Sequence, residues 1–350
     1  MRLGIEWEFP LALWERGLGR GTKRYNPSPY PSPKGNGSKT FKDIRMKTAA
    51  IELHPDGATE VAARLGAKAR VAAYVELTKP RITFLIVLTS AAGFCLGSRG
   101  AVNYVVFAHA MIGIALLSSG IATLNQFMER ELDRLMRRTA ERPLPSGRLL
   151  PFEALWFGLV LTATSELYLA MFVNVLTAAL GLTVIAGYLF LYTPLKTRTS
   201  LSTAIGAFPG AMPPLIGWAA ARGELDIAAW VLFAILFLWQ FPHFLAIAWM
   251  YREDYGRAGI CMLPVVEPDG RVTGQQIITY ALMLVPVSLL PAILGISGRF
   301  YLVAALVLGL LFLASSVRAA ISKSNQHARQ LLLASVLYLP LLFGVMVLNR

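Results

Sequence analysis

Asn125, Glu129 and Asp133 recur at every fourth position, a spacing that stacks them on one face of a helix. Each step of four drifts by only about 40°, so the three side chains form a stripe about 12 Å long. Two carboxylates and an amide oxygen make a hard, oxygen-only donor set, the kind that holds Mg²⁺ beside a substrate phosphate. Arg134 and Arg138 form a neighbouring stripe, and Arg137 continues that of Asn125, placing bidentate donors where phosphate oxygens would sit. The plain alternative is a solvated amphipathic helix carrying Glu–Arg pairs four residues apart.

A second cluster lies further along. Gln240, Pro242 and His243 interrupt an otherwise apolar stretch, and Arg252, Glu253, Asp254 and Tyr255 follow at its end. An ionisable side chain within an apolar helix is costly and marks a functional candidate, against the alternative of a helix–helix hydrogen bond. Gln240 lies three residues from His243, on a similar face and within reach of a shared ligand. Glu253 and Asp254 suit a second Mg²⁺, or equally an acid pair balanced by Arg252 and Arg257. Lys196 and Arg198 sit in the segment YTPLKTR, near any bound phosphate. After them comes a stretch broken by Gly206, Pro209, Gly210, Pro213 and Pro214, as in discontinuous helices that let ligands approach the backbone. His327 and Arg329 read as packing and topology.

The elements that must position these residues are membrane spans. Hydrophobic residues make up 55% of the chain and charged ones only 15%, well below the quarter or so of soluble domains. About 20 apolar residues cross the hydrocarbon core as a helix, which satisfies every backbone amide internally. Nine such runs are expected, at about 82–98, 104–124, 152–171, 174–193, 201–220, 228–249, 277–297, 300–317 and 331–348. They are too long and continuous for the alternating strands of an outer-membrane barrel. The expected fold class is therefore all-α membrane.

The loops between the runs are charged unevenly. Arg130, Arg134, Arg137, Arg138, Arg142, Arg148, Lys196, Arg198, Arg252, Arg257, Arg271, Arg318, Lys323 and Arg329 fall on one side, against Arg99, Arg222, Arg299 and Arg350 on the other. The rich side is the cytoplasmic one by the positive-inside rule, so the N-terminus and the charged loops 125–151 and 250–276 face the cytoplasm and the C-terminus faces out. A net charge of +13 distributed this way suits an anionic leaflet and gives no evidence for nucleic acid as a partner. Cys95 and Cys261 fall on opposite sides and form neither a disulfide framework nor a metal motif.

Residues 1–70 differ from the rest. The Pro/Gly/Ser-rich stretch from Tyr25 to Thr40 cannot build a core, so a basic, disordered N-terminal extension is expected ahead of a transmembrane domain at 71–350. Met46 offers a second start, which makes 1–45 dispensable, and no signal peptide is expected because the first long apolar stretch begins near residue 82. Residues 60–78 suggest an amphipathic surface helix, with Ala62, Leu65, Ala69, Ala72 and Val75 on one side.

Taken together, NxxxExxxD, RRTxxRPLPSG, YTPLK, WQxPHFxxIAWxYREDYxxAGxxMLPV and QHARxLxxASxxYLP resemble the protohaem IX farnesyltransferase branch of the UbiA superfamily of intramembrane prenyltransferases. The resemblance covers about 74–345. The combination of PHF, REDY and MLPV belongs to the haem branch, whereas quinone-forming relatives carry a second acidic motif there. It implies nine transmembrane helices around a central cavity, in the cell inner membrane. It further implies a prenyl transfer in which farnesyl diphosphate and haem b give haem O and diphosphate, with Mg²⁺ as cofactor. Asn125, Glu129 and Asp133 would hold the metal, with Arg137, Arg138 and Lys196 assisting at the diphosphate. Gln240, His243, Arg252, Asp254 and Tyr255 would complete the site, His243 as the candidate haem contact and Glu253 and Asp254 as further metal ligands. A haem A synthase or oxidase assembly factor would take the product. Glu129 departs from the Asp usual in the family and reaches one methylene further. A quinone or other aromatic prenyltransferase, and a haem carrier or transporter, remain the alternatives.

Overall fold

The computed structural model describes residues 66–350, and every described element is helical. Residues 1–65 of the expected extension 1–70, with Met46 and with Ala62 and Leu65 of the expected amphipathic helix, lie outside the described residues. In chain order the helices are α1 (Ala67–Leu77), α2 (Pro80–Gly97), α3 (Tyr104–Leu135), α4 (Pro151–Phe172), α5 (Val175–Leu195), α6 (Ser202–Gly210) and α7 (Met212–Arg222). There follow α8 (Ile227–Met250), α9 (Arg252–Arg257), α10 (Leu263–Val266), α11 (Arg271–Ile293), α12 (Arg299–Ser322) and α13 (Asn325–Leu348).

Eight of the described helices are long and apolar enough to cross a membrane: α2, α3, α4, α5, α8, α11, α12 and α13. The run expected at 201–220 is instead two short helices, α6 and α7, meeting at Ala211. Pro209, Pro213 and Pro214 lack the amide hydrogen that would carry one helix through this point. The other runs are helical, and several extend past the apolar windows at their charged ends, as α13 does by starting at Asn325.

Side chains at the starts cap several helices: Asn103 accepts from the amides of Val105 and Val106, Asn174 from Thr177, Asp226 from Ala229 and Ser324 from His327. Large apolar side chains such as Phe84, Phe190, Phe300 and Leu311 point outward, where lipid rather than water is the solvent. With no hydrophobic drive between helices in lipid, small residues let backbones meet. A Cβ on Gly217 of α7 would lie 1.9 Å from the Ser90 carbonyl oxygen of α2, and one on Gly93 would lie 2.1 Å from that of Pro214.

Two elements matter most for position. At 32 residues α3 is about 48 Å long, well beyond the 30 Å or so of a hydrocarbon core, so its last turns project at one end of the bundle. α1 packs at that same end through Ala73 and Leu77, against Leu144, Leu149 and Ala154. Ala69, Ala72 and Val75, the stripe expected to be its apolar side, face away from the bundle. Ion pairs decide the orientation: Arg70 to Glu153 and Arg148 to Glu76 at 2.8 Å turn Ala73 and Leu77 inward.

Candidate active site

The projecting end of α3 buries Asn125, Glu129 and Asp133 along one face, as the four-residue spacing requires. Each of the three meets a different cation. Lys196, just past α5, donates from Nζ to Glu129 Oε1 at 2.5 Å. Arg142 donates from Nη1 to both oxygens of Asp133, at 2.9 and 2.8 Å. Lys79 donates from Nζ to Asn125 Oδ1 at 3.2 Å. The Asn125 amide in turn donates to Thr193 Oγ1 at 3.2 Å.

The backbone is shaped for these contacts. Lys79 is a non-glycine residue in the left-handed region, φ 49°, at the tight turn between α1 and α2. That conformation costs on the order of 1 kcal/mol, and it sends the ammonium toward α3. Residues Ala186–Tyr192 of α5 are π-helical, which alters the register so that Thr193 reaches Asn125. The charged loop 250–276 braces the turn that carries Lys196, since the Cys261 amide donates to the Lys196 carbonyl at 2.7 Å.

Burial and the adjacent Arg142 charge push the Lys79 ammonium down to about 8. Burial also works against Lys196, but Tyr192 and the Glu129 carboxylate outweigh it and hold that lysine above its usual range. The Lys196 ammonium also lies 4.3 Å from the centre of the Tyr192 ring.

The remaining expected residues separate into groups. Arg137 does not continue the stripe: α3 ends at Leu135, Met136 is extended, and Arg137 is exposed beyond it. Its expected place beside the carboxylates is taken by Arg142, which the turn after α3 folds back on Asp133. Arg138 instead joins the two charged loops, lying 4.8 Å from the ring centres of both Tyr251 and Tyr255 and donating to the Tyr255 hydroxyl at 2.6 Å. Arg134 pairs with Glu131 on the exposed side. Arg252 stacks on Trp249 and donates to Asn325 Oδ1 at 3.0 Å. Asp254 is paired with Arg257, and Glu253 is exposed at the start of α9. Among the described residues no group of three or more His, Cys, Asp or Glu converges on a common point.

Gln240 and His243 diverge. Gln240 is buried against α6, donating to the Ala207 carbonyl at 3.0 Å, whereas His243 meets Ser335 Oγ of α13 through Nδ1 at 2.7 Å and stacks on Trp239. The expected ligand shared by the two is not supported by this geometry. Three residues subtend about 300°, enough for the neighbouring helices to draw the two side chains apart. Lys79, Arg142 and Thr193 were not among the expected site residues. The only local signal for Lys79 was a basic residue before a helix-starting proline.

An oxygen-rich, buried face ringed by three cations has the chemistry to hold a divalent ion together with a diphosphate. The comparisons with known proteins agree in kind. Residues 86–340 match the UbiA prenyltransferase family, and the chain belongs to it. The chain is 56% identical to the protoheme IX farnesyltransferase of Solibacter usitatus, over 79% of this chain and 98% of that protein. It is 50% identical to the one of Koribacter versatilis (79% and 93%) and 44% identical to the one of Myxococcus xanthus (79% and 94%). Among solved structures it resembles a digeranylgeranylglyceryl phosphate synthase, with TM-score 0.68 and 17% identity over 80% of this chain and 98% of that one. It also resembles a UbiA homologue of Archaeoglobus fulgidus bound to GPP and Mg²⁺, with TM-score 0.55 and 18% identity over 78% and 99%. At such low identity these two likenesses concern the fold.

Proposed function

We propose that this protein transfers a farnesyl group from farnesyl diphosphate to a vinyl group of protohaem IX (haem b), giving haem O and diphosphate. The observation that carries the proposal is the buried Asn125–Glu129–Asp133 face with its three cations, in a chain 56% identical to a protein named for that reaction. Farnesyl transfer needs a site that takes a diphosphate as leaving group, and this donor set fits Mg²⁺ beside such a group. Asn125, Glu129 and Asp133 would hold the ion, which would supply positive charge to offset that of the departing diphosphate.

The chain's own residues supply the rest. Lys79, Lys196 and Arg142 hold the diphosphate oxygens as the farnesyl C1–O bond breaks, stabilising negative charge where it develops. Arg138, clamped by Tyr251 and Tyr255, keeps the two charged loops together over the site. The apolar bundle takes the C15 chain and limits stray water. The terminal vinyl carbon attacks the allylic cation, and water adds to the carbon left positive, releasing a proton. His243 is assigned to positioning the porphyrin or that water, supported by its place within an apolar span, with Nδ1 held by Ser335 and Nε2 as the nitrogen that can turn to a ligand. The excess of basic residues in the loops on one side supports a site at the cytoplasmic face of the inner membrane, with the C-terminus outside.

The test is to incubate membranes containing the protein with haem b and labelled farnesyl diphosphate. Label in haem O is expected. Label transferred to a quinone precursor and not to haem would replace this reading with that of another aromatic prenyltransferase.

A further inference from the structure

Four of the oxygens suited to a metal are already engaged. Asn125 Oδ1, Glu129 Oε1 and both Asp133 carboxylate oxygens accept from Lys79, Lys196 and Arg142 respectively. The three cations come from three different places: the turn before α2, the end of α5 and the loop after α3. We propose that Lys79, Lys196 and Arg142 make the site bind metal and diphosphate only as a pair, by holding the ligand oxygens until the diphosphate draws these cations away. This rests on the prenyl diphosphate reading given above and adds to it an order of events.

Charge favours the pairing. Three cations against two carboxylates leave one net positive charge in a largely buried cluster. A divalent ion entering alone would raise it to three, which burial makes unfavourable. A prenyl diphosphate carries roughly −3 near neutral pH, so alone it would leave the cluster negative. Metal and diphosphate together bring it close to neutral.

Mobility favours it as well. The three acceptors stand on one helix, and the Asn125 amide is anchored to Thr193, so the oxygens stay in place. Lysine and arginine heads ride on flexible stems and can move a few ångströms without backbone change. The same three residues thus first block the metal ligands and then grip the diphosphate. They act as positioning residues for both. Because coupling between two sites is reciprocal, the metal must strengthen diphosphate binding by the factor by which diphosphate strengthens metal binding.

The test uses the purified full-length protein in detergent, Mn²⁺ as a metal visible by electron paramagnetic resonance, and farnesyl thiolodiphosphate as a non-reacting analogue. Mn²⁺ affinity is measured with and without the analogue, allowing for their complex in solution. In the wild type the analogue is expected to tighten Mn²⁺ binding at least tenfold. In Lys196→Met and Arg142→Met, Mn²⁺ alone should bind at least threefold more tightly while the analogue alone binds more weakly, and the coupling should shrink at least threefold. Lys196→Arg should keep the coupling. A merely structural role would weaken both ligands together, and melting temperatures identify folded variants; if one Met variant does not fold, the other and the wild-type coupling decide. Wild-type coupling below twofold, or Mn²⁺ bound more weakly by every folded Met variant, would overturn the proposal. Inorganic pyrophosphate is run in parallel: coupling with it but no binding of the farnesyl analogue would sink the substrate reading and leave this inference standing.

Discussion

The two ends of the helical bundle use the same residue types in opposite ways. At the end beyond α7, Arg99 pairs with Glu224 with the side chains 73% and 56% exposed, Arg222 pairs with Asp226, and Arg350 reaches the carbonyls of Cys95 and Gly100. At the other end the Lys196 and Glu129 side chains are only 12% and 10% exposed, and Asp133 is 1% exposed beneath Arg142. Exposed pairs contribute about 0–1 kcal/mol, because water and salt screen them. Buried pairs require several kcal/mol of desolvation per ion, and packed apolar residues would often be as stable. The Arg99–Glu224 pair at the first end is ordinary surface chemistry. Stability does not explain a buried cluster with more cations than carboxylates, whereas the proposed binding of a diphosphate does.

Breaking the buried end should have the largest effect. Asp133→Asn keeps the shape but removes a charge from the proposed metal face, and haem O formation is expected to fall at least a hundredfold. The protein should remain folded in the membrane, checked by melting temperature and by gel filtration in detergent; near-normal turnover would show that the carboxylate stripe is not the metal site.

His243→Ala comes next and separates the two roles open to that residue. As a positioning group for haem it should lower turnover roughly tenfold and weaken haem titration, with affinity for farnesyl diphosphate unchanged. If its bond to Ser335 is only helix packing, melting temperature falls and turnover per folded molecule is preserved. Glu129→Asp should change turnover by only a few fold, since it keeps the charge and shortens the reach by one methylene, and steady-state kinetics would reveal any larger loss. The smallest effect belongs to the other end. Arg99→Ala should leave turnover unaltered and shift stability by less than about 1 kcal/mol, an effect that shrinks further in high salt. A loss of activity there would mean that the two ends are not as different as their burial implies.

Local periodicity carried the Asn125–Glu129–Asp133 face into view. Asn125, Glu129 and Asp133 were legible because a period of 3.6 residues aligns every fourth position whatever surrounds the helix, and the long spans were legible because lipid demands apolar helices of set length. The broken stretch was legible as a break, through its prolines, but not as two helices meeting at Ala211. The partners of the stripe were not visible. Whether Arg137 or Arg142 would face Asp133 depended on where α3 stopped and how the chain turned at Met136, which helix spacing does not encode. Lys79 lies 46 residues from Asn125, and only the packing of the turn before α2 against α3 brings them together. Gln240 and His243 parted for the same reason, one drawn to Ala207 and the other to Ser335. The sequence determined which side chains share a helix face, because that follows from local backbone geometry. Tertiary structure alone decided which charge each one meets, because contacts between helices depend on neighbours distant in the chain.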